Sequence, residues 1–343
     1  MNALSREQLI AVIEGRAAGV RVPMLYHSWI GPERFAEKGE EAQVRALLRN
    51  YPMDAQVINW RGISPYDAPA DDPSFRWMHH DAPPNVGTQA LDAQTPLSDW
   101  GMLDDMLADF PDPNYPGLFP NAPASDGRYR VAYWWFTFFE RHWSLRGMSN
   151  ALLDFLLYPA ETHRLFEALC RFYCRMVERA GEELNADAVY FTDDLGTQSG
   201  PFFSPAIFEE FFAPYYQRII ATAHARGMHA WMHTCGNVTL FLPRLIELGL
   251  DVIHPIQKYA MDERHVVREF GGAITFLAGF DVQRTIPYGT PDDVRREVRH
   301  LIDTYQRPGG RLMLTAGNAL TPDTPLASLQ ALFDESARYG IAV

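Results

Sequence analysis

The chain has 343 residues, of which 47% are hydrophobic and 21% are charged, so it can bury a large core and is not a disordered segment. Its 43 Asp and Glu residues outnumber its 30 Lys and Arg residues, which gives a net charge of -13. Because nucleic acids and anionic lipid surfaces bind clustered cations, this balance argues against both as partners. Three cysteines cannot build a disulfide framework, and no secretory signal precedes Arg16, so we expect a cytoplasmic protein.

Short apolar runs alternate with segments of helical periodicity along the chain. Eight runs predict strands, at 22–27, 55–60, 130–136, 188–192, 229–233, 252–255, 274–278 and 311–315. A capping box, Ser5-Arg6-Glu7-Gln8, predicts an N-terminal helix. Further helices are predicted at 149–158, 160–184, 204–226, 238–248, 262–269, 290–306 and 325–339. This alternation is typical of a single (β/α)8 TIM barrel over residues 1–343, with a doubly wound sheet as the alternative.

Residues 62–127 interrupt this alternation after the second predicted strand. The segment is rich in Pro, Asp and Asn and shows little periodicity. We interpret it as a long insertion that forms a lid or wall over a site, because long loops in compact domains often serve function. A surface insertion without a role is the alternative.

Polar residues follow seven of the predicted strands at their C-terminal ends, where barrel enzymes carry their active sites. We expect a catalytic group of Asp194, Asp281 and Asn318. We expect substrate-binding residues at His27, Trp29, Asn59, Asp193, Gln198, Asn237 and Gln257. Asp193 and Asp194 are adjacent and point apart, so we expect only one of them to enter the site. A solvated acidic turn or a helix N-cap is the alternative interpretation of this pair.

The sharpest local pattern is His233-x-Cys235 at the end of a predicted strand. Residues i and i+2 of an extended chain point the same way, so the imidazole and the thiol would face one point. Together they are ligands typical of zinc. A buried structural pair is the alternative, because a free cysteine often belongs to the core.

The segment from Asp193 to Asn237, which begins DDLGTQSG and ends HTCGN, resembles the uroporphyrinogen decarboxylase superfamily. The stretches LGLDVIHPIQ, FLAGFDVQRT and GGRLMLTAGN continue the resemblance, which covers nearly the whole chain from about residue 150. It is closest to the uncharacterised and methyltransferase-like branch. The resemblance implies a (β/α)8 barrel with its cleft at the C-terminal rim. It also implies one of two reactions: cofactor-free decarboxylation of a tetrapyrrole, or zinc-dependent methyl transfer from a corrinoid to a thiol.

The chain departs from both branches. The decarboxylases carry substrate-binding arginines after the first strand, where this chain has LYHSWIGPERF. The superfamily spacing also places Asn318 where the decarboxylases carry a His and the methyltransferases carry a second zinc-binding Cys. The remaining ligand set is His233, Cys235 and Asp194, which leaves an open position and predicts weak zinc binding.

We therefore expect an enzyme that uses zinc in methyl transfer, with a corrinoid carried by a partner protein or a methylated small molecule as the donor. Asp194 would complete the metal shell or act as a base, and Gln198, Gln257 and Asp281 would orient the substrate. A metal-free decarboxylase or lyase is a second hypothesis. A non-catalytic protein that binds a corrinoid or tetrapyrrole is a third. The resemblance also suggests a homodimer.

Overall fold

The computed structural model describes residues 1–63, 75, 77, 95–119 and 122–341. These residues form an α/β fold with a TIM-barrel-like sheet of seven parallel strands that neighbour one another in sequence order. The strands are β1 (Ala55–Asn59), β2 (Tyr129–Trp134), β3 (Ala188–Thr192), β4 (His229–His233), β5 (Val252–His254), β6 (Thr275–Phe280) and β7 (Leu312–Ala316). All seven lie within two residues of a predicted strand at either end, and most of their residues are buried, as parallel strands require.

The strand predicted at 22–27, the first of the eight, is not a strand of the sheet, which has seven strands among the described residues. Only Met24 bridges to Leu314 of β7, and its carbonyl oxygen accepts a hydrogen bond from the Asp54 N–H beside β1. Pro23 cannot donate to a ladder, and the chain turns into a 3-10 helix at Tyr26–Trp29. A single bridge with flanking hydrogen bonds therefore lies between the last strand and the first.

Thirteen α-helices occur among the described residues. They are α1 (Arg6–Ile13), α2 (Glu41–Asn50), α3 (Leu103–Ala108), α4 (Phe139–Arg146), α5 (Met148–Leu157), α6 (Pro159–Leu184), α7 (Pro205–Phe211), α8 (Ala213–Ala225), α9 (Leu242–Glu247), α10 (Glu263–Phe270), α11 (Thr285–Tyr288), α12 (Pro291–Tyr305) and α13 (Leu326–Tyr339). The predicted capping box at Ser5 is present. The helix predicted at 204–226 is broken at Phe212, because Pro214 lacks an N–H and its ring clashes with the preceding turn of a continuous helix.

Aromatic and aliphatic side chains fill the inside of the sheet. Tyr129, Tyr190, Trp231 and Leu277 belong to this inner cluster, and a larger outer cluster packs the sheet against the helices. Because the interior is filled, a ligand can reach the strands only at their ends.

The predicted insertion is described in part, since residues 64–74, 76, 78–94, 120 and 121 lie outside the described residues. Its described part contains α3 and the buried Trp77, whose Nε1–H donates to the Met106 carbonyl at 3.0 Å. The lid interpretation stays a prediction. Among the described helices, none combines the length and the apolar character that crossing a bilayer requires.

Candidate metal centre and adjoining cavities

Three side chains that could ligate a metal converge where β3 and β4 end, and we call them the metal-binding cluster: Asp194, His233 and Cys235. The Nε2 atom of His233 lies 3.3 Å from the Cys235 Sγ and 3.4 Å from the Asp194 Oδ1, and the three atoms lie within 4.8 Å of one another. Tetrahedral zinc with ordinary bond lengths separates such ligands by roughly 3.3–3.6 Å. The donor types are those that zinc prefers, and the two separations measured from His233 Nε2 are close to this range.

The backbone brings these side chains together through a close approach of two loops. The Cys235 N–H donates to Asp194 Oδ1 at 2.7 Å, and the Gly196 N–H donates to the Cys235 carbonyl at 3.2 Å. Gly236 adopts a φ of 82°, and a Cβ atom there would lie 2.1 Å from the Gly196 carbonyl oxygen. Only glycine permits this turn, which carries the chain out of β4 beside Asp194.

A chain of hydrogen bonds orients the His233 ring. His254 Nε2 lies 2.9 Å from the Ala316 carbonyl oxygen, which can only accept, so this nitrogen carries a proton. Burial, and then the neighbouring His233, hold the pKa of His254 well below its usual value, so the ring is neutral and its Nδ1 accepts. His233 Nδ1, 2.7 Å away, therefore donates to it. This leaves His233 Nε2 as the atom that faces Asp194 and Cys235.

The electrostatics of the cluster favour a cation. Burial opposes ionisation of Asp194, but the His233 ring and the Cys235 N–H outweigh it and lower the pKa of the carboxyl. Burial, followed by the negative charge of Asp194, raises the pKa of the Cys235 thiol. A metal ion would displace the thiol proton, and one Zn²⁺ would balance one carboxylate and one thiolate.

Asn318 lies beside this cluster but presents a donor to it. Its Nδ2 is 3.7 Å from the Cys235 Sγ, and its Oδ1 accepts the Ala319 N–H at 2.7 Å. The side chain is exposed. In this orientation Asn318 offers no lone pair to a metal held by the other three residues.

A cavity of about 410 Å³ opens next to the cluster. Five residues of the predicted site line it: Gln198, Cys235, Gln257, Asp281 and Asn318. Gln257 also supports the loop after β4, since its Oε1 accepts the Gly236 N–H at 2.5 Å. Asp281 is buried and accepts from the N–H groups of the turn at 283–285, so it shapes the wall of the cavity.

Two other predicted residues, Trp29 and Asn59, line a second cavity of about 130 Å³ at the mouth of the barrel. The Trp29 ring stacks on His254 at 5.2 Å and lies 5.5 Å from His233. This second cavity is therefore a neighbour of the metal-binding cluster, and its wall contacts the two histidines.

Three predicted substrate-binding residues lie apart from these cavities. Asp193 is fully buried and accepts the first N–H groups of α4 and the Tyr216 hydroxyl, which makes it a helix cap. His27 Nε2 lies within 3.0 Å of the Leu48 and Tyr51 carbonyl oxygens. Asn237 holds its own loop through the Ala260 carbonyl and the Thr239 N–H.

The structure also assigns positions that the sequence analysis left without a role. His254 orients His233 from the neighbouring strand, in register with it. Glu140 is buried beside Asp194, and its Oε2 accepts from the Thr192 hydroxyl at 2.6 Å. Burial, and then the charges of Asp194 and Asp193, raise the pKa of Glu140 well above its usual value. The sequence signal for Glu140 is one carboxylate within an otherwise aromatic run.

The fold is that of the TIM-barrel-like proteins, and the candidate site lies at the C-terminal ends of its strands. The sequence model of the uroporphyrinogen decarboxylase (URO-D) family matches residues 143–339, which is more than half of the chain. The chain therefore belongs to the URO-D family, as the resemblance implied.

Two similar proteins are described as methyltransferases. The methylcobamide:CoM methyltransferase MtbA of Methanosarcina mazei is 24% identical over 164 residues, which are 47% of this chain and 44% of that protein. The match thus spans less than half the length of that relative. A solved structure described as a methyltransferase from Methanosarcina mazei superposes with a TM-score of 0.62 at 14% identity, over 98% of this chain and 99% of the other. This structural likeness shows the shared fold.

Proposed function

We propose that this protein is a zinc-dependent methyltransferase. The observation that carries the proposal is the convergence of Asp194 Oδ1, His233 Nε2 and Cys235 Sγ at distances suited to one metal ion. The similarity to MtbA supports the same reaction class. The name of that relative points to a methylated corrinoid as donor, and we propose that a partner protein carries it or that a methylated small molecule replaces it.

These three residues would hold the zinc, which when bound supplies a Lewis acid that lowers the pKa of an acceptor group. The acceptor would enter through the 410 Å³ cavity, where Gln198 and Gln257 can hydrogen-bond to it. The acceptor lone pair forms the bond to the methyl carbon, and the donor keeps the electron pair of the broken bond. The acceptor proton leaves to solvent.

The residues that line the 410 Å³ cavity argue against the metal-free decarboxylation of a substrate with many carboxylates. Lys258 is the one cation among its described lining residues, and its Nζ lies 2.9 Å from Glu297. Several substrate carboxylates would therefore remain unpaired beside an acidic protein. A cytoplasmic location and a homodimer remain proposals that rest on the cysteine usage and on the family.

The test combines metal content with turnover. The full chain, purified without a metal-binding tag, is expected to hold up to one zinc per chain and to demethylate methylcobalamin in the presence of a thiol. Cys235→Ser should abolish both properties. Cys174→Ser is the matched control, because Cys174 lies on α6 next to Cys170 and away from the site. Wild-type turnover without metal would refute the zinc role, and zinc binding without methyl transfer from methylcobalamin would refute a corrinoid as the donor.

A further inference from the structure

The small cavity at the barrel mouth is lined by five aromatic residues, Trp29, Tyr133, Trp135, Tyr190 and Trp231. Trp29 and Trp135 meet edge to face at 5.9 Å, Tyr133 and Trp135 at 5.3 Å, and Tyr133 lies 4.9 Å from Tyr190. The rings therefore form one connected wall around a volume of about 130 Å³. This volume is well below the roughly 300–1,000 Å³ of pockets for drug-sized ligands, so it suits one small chemical group.

The electrostatic surroundings of this cavity favour a cation over an anion. Of the described residues that line it, none carries a positive charge, and Ser28, Asn59 and Thr315 add only neutral polar groups. Burial most strongly, and then Glu140 and Asp194, raise the pKa of Tyr133; because the pKa of Glu140 is itself raised well above its usual value, Asp194 is the charged carboxylate of the two. Burial, and then Tyr133, Cys235 and Asp194, raise the pKa of Tyr190. The Asp194 carboxylate would therefore repel an anionic ligand, and the electron-rich aromatic rings would attract a cation that carries no hydrogen-bond donors.

From this enclosure we propose that the mouth cavity is a binding site for a methylated ammonium group. Tryptophan and tyrosine faces attract such cations through their quadrupoles, most strongly where water is excluded. A tri- or tetramethylated ammonium has an apolar surface that packs against the rings and needs no hydrogen-bond acceptor. Asn59, exposed at the rim, is available to the remainder of a larger ligand.

This site adjoins the metal-binding cluster but does not depend on it. The Trp29 and Trp135 rings lie 5.5 and 6.0 Å from the His233 ring, so a bound ammonium group would sit beside that imidazole. Tyr133, Tyr190 and Trp231 belong to β2, β3 and β4, Trp135 directly follows β2, and Trp29 belongs to the 3-10 helix at Tyr26–Trp29; none of the five is a ligand of the proposed metal site. The inference therefore goes beyond methyl transfer and can be tested separately from it.

The experiment is isothermal titration calorimetry of the full chain with tetramethylammonium chloride, once with zinc and once with a chelator. The neutral isostere tert-butanol measures the purely apolar contribution. We expect saturable tetramethylammonium binding that is at least about tenfold tighter than any binding of tert-butanol. Trp135→Leu should weaken it about tenfold, and Trp135→Phe should weaken it less, because a smaller aromatic face remains.

Trp135 is suited to this test because 45% of its surface is exposed, so its replacement leaves the core intact. Tyr288→Leu is the control for loss of an exposed aromatic ring, since Tyr288 is 77% exposed and does not line the cavity. Equal affinity for the cation and the neutral isostere, no saturable binding, or unchanged binding in Trp135→Leu would each overturn the proposal. Failure of zinc binding alone would leave it standing, because the chelator arm measures the site without metal.

Discussion

The Nδ1 atoms of His233 and His254 lie 2.7 Å apart, and this contact connects the metal-binding cluster to the backbone of β7. Because the His254 Nε2–H donates to the Ala316 carbonyl oxygen and the ring is neutral, the Nδ1 of His254 can only accept. His233 therefore donates with Nδ1 and faces the metal position with Nε2. Ligating histidines in metal sites commonly have such a partner, which orients the ring and raises its basicity.

His254→Phe should weaken zinc binding by about 10–100-fold, because it removes the acceptor for the His233 Nδ1–H and retains an aromatic ring under Trp29. Competition with a chromogenic chelator measures the affinity. Tyr190→Phe is the matched control, since the Tyr190 hydroxyl lies 2.8 Å from the same His254 Nδ1 but touches no ligand. Wild-type affinity in His254→Phe would show that this contact does not position the ligand.

Asn318→Cys should tighten zinc binding by at least about tenfold. A thiolate would replace an amide whose nitrogen faces the Cys235 sulfur at 3.7 Å. Residues that contact only a metal ligand already change metal affinity by about 10–100-fold, so a new direct ligand should have at least a tenfold effect. Cys235→Ser, measured by the same competition, should remove binding. If Asn318→Cys leaves the affinity unchanged, the loop after β7 does not reach the metal.

Asp193→Asn and Asp194→Asn should impair different properties, stability and zinc affinity respectively, although the residues are adjacent. Asp193 caps α4 with its buried carboxylate, so its loss should lower the free energy of unfolding by about 2–4 kcal/mol. Asp194→Asn should weaken zinc binding and cost less than about 1 kcal/mol, because its side chain is 37% exposed. Urea unfolding and chelator competition on both variants measure the two effects, and equal stability losses would contradict these roles.

A buried ion pair away from the site predicts a loss of stability in acid. Burial opposes ionisation of Asp154, but hydrogen bonds from His142, Arg146 and Trp100 outweigh it and lower its pKa to about 2. The unfolded chain protonates this carboxyl near pH 3.9, so the folded state is favoured above that pH. This contribution of up to about 2 kcal/mol should be lost as the pH falls from about 4 through 2.

Urea unfolding near neutral pH and near pH 3 measures this effect. Asp154→Asn should lower stability at neutral pH by about 3–5 kcal/mol, because it leaves Arg146 buried without its partner, and should reduce the acid-dependent loss. Asp126→Asn is the control, since Asp126 is 43% exposed beside Arg128 and should change little. An unchanged acid dependence in Asp154→Asn would contradict the prediction.

The sequence by itself located the seven strands of the sheet and the candidate metal-ligating pair. Buried parallel strands are continuous apolar runs, so β3 is predicted at its observed residues, and the period of two along a strand already places His233 and Cys235 on one face. The short bridge at Met24 was not foreseen, because Pro23 and the following 3-10 helix reduce an apolar run to one paired residue.

Only the tertiary structure decided which neighbours these residues meet. Asp193 and Asp194 look equivalent in the sequence. In the structure the N-terminus of α4 donates hydrogen bonds to the carboxylate of Asp193, and the loop after β4 donates to that of Asp194. His254 is 62 residues from Ala316 along the chain, yet its ring spans from His233 to that carbonyl. Contacts between strand ends depend on register and on sheet curvature, which no local pattern of residues encodes.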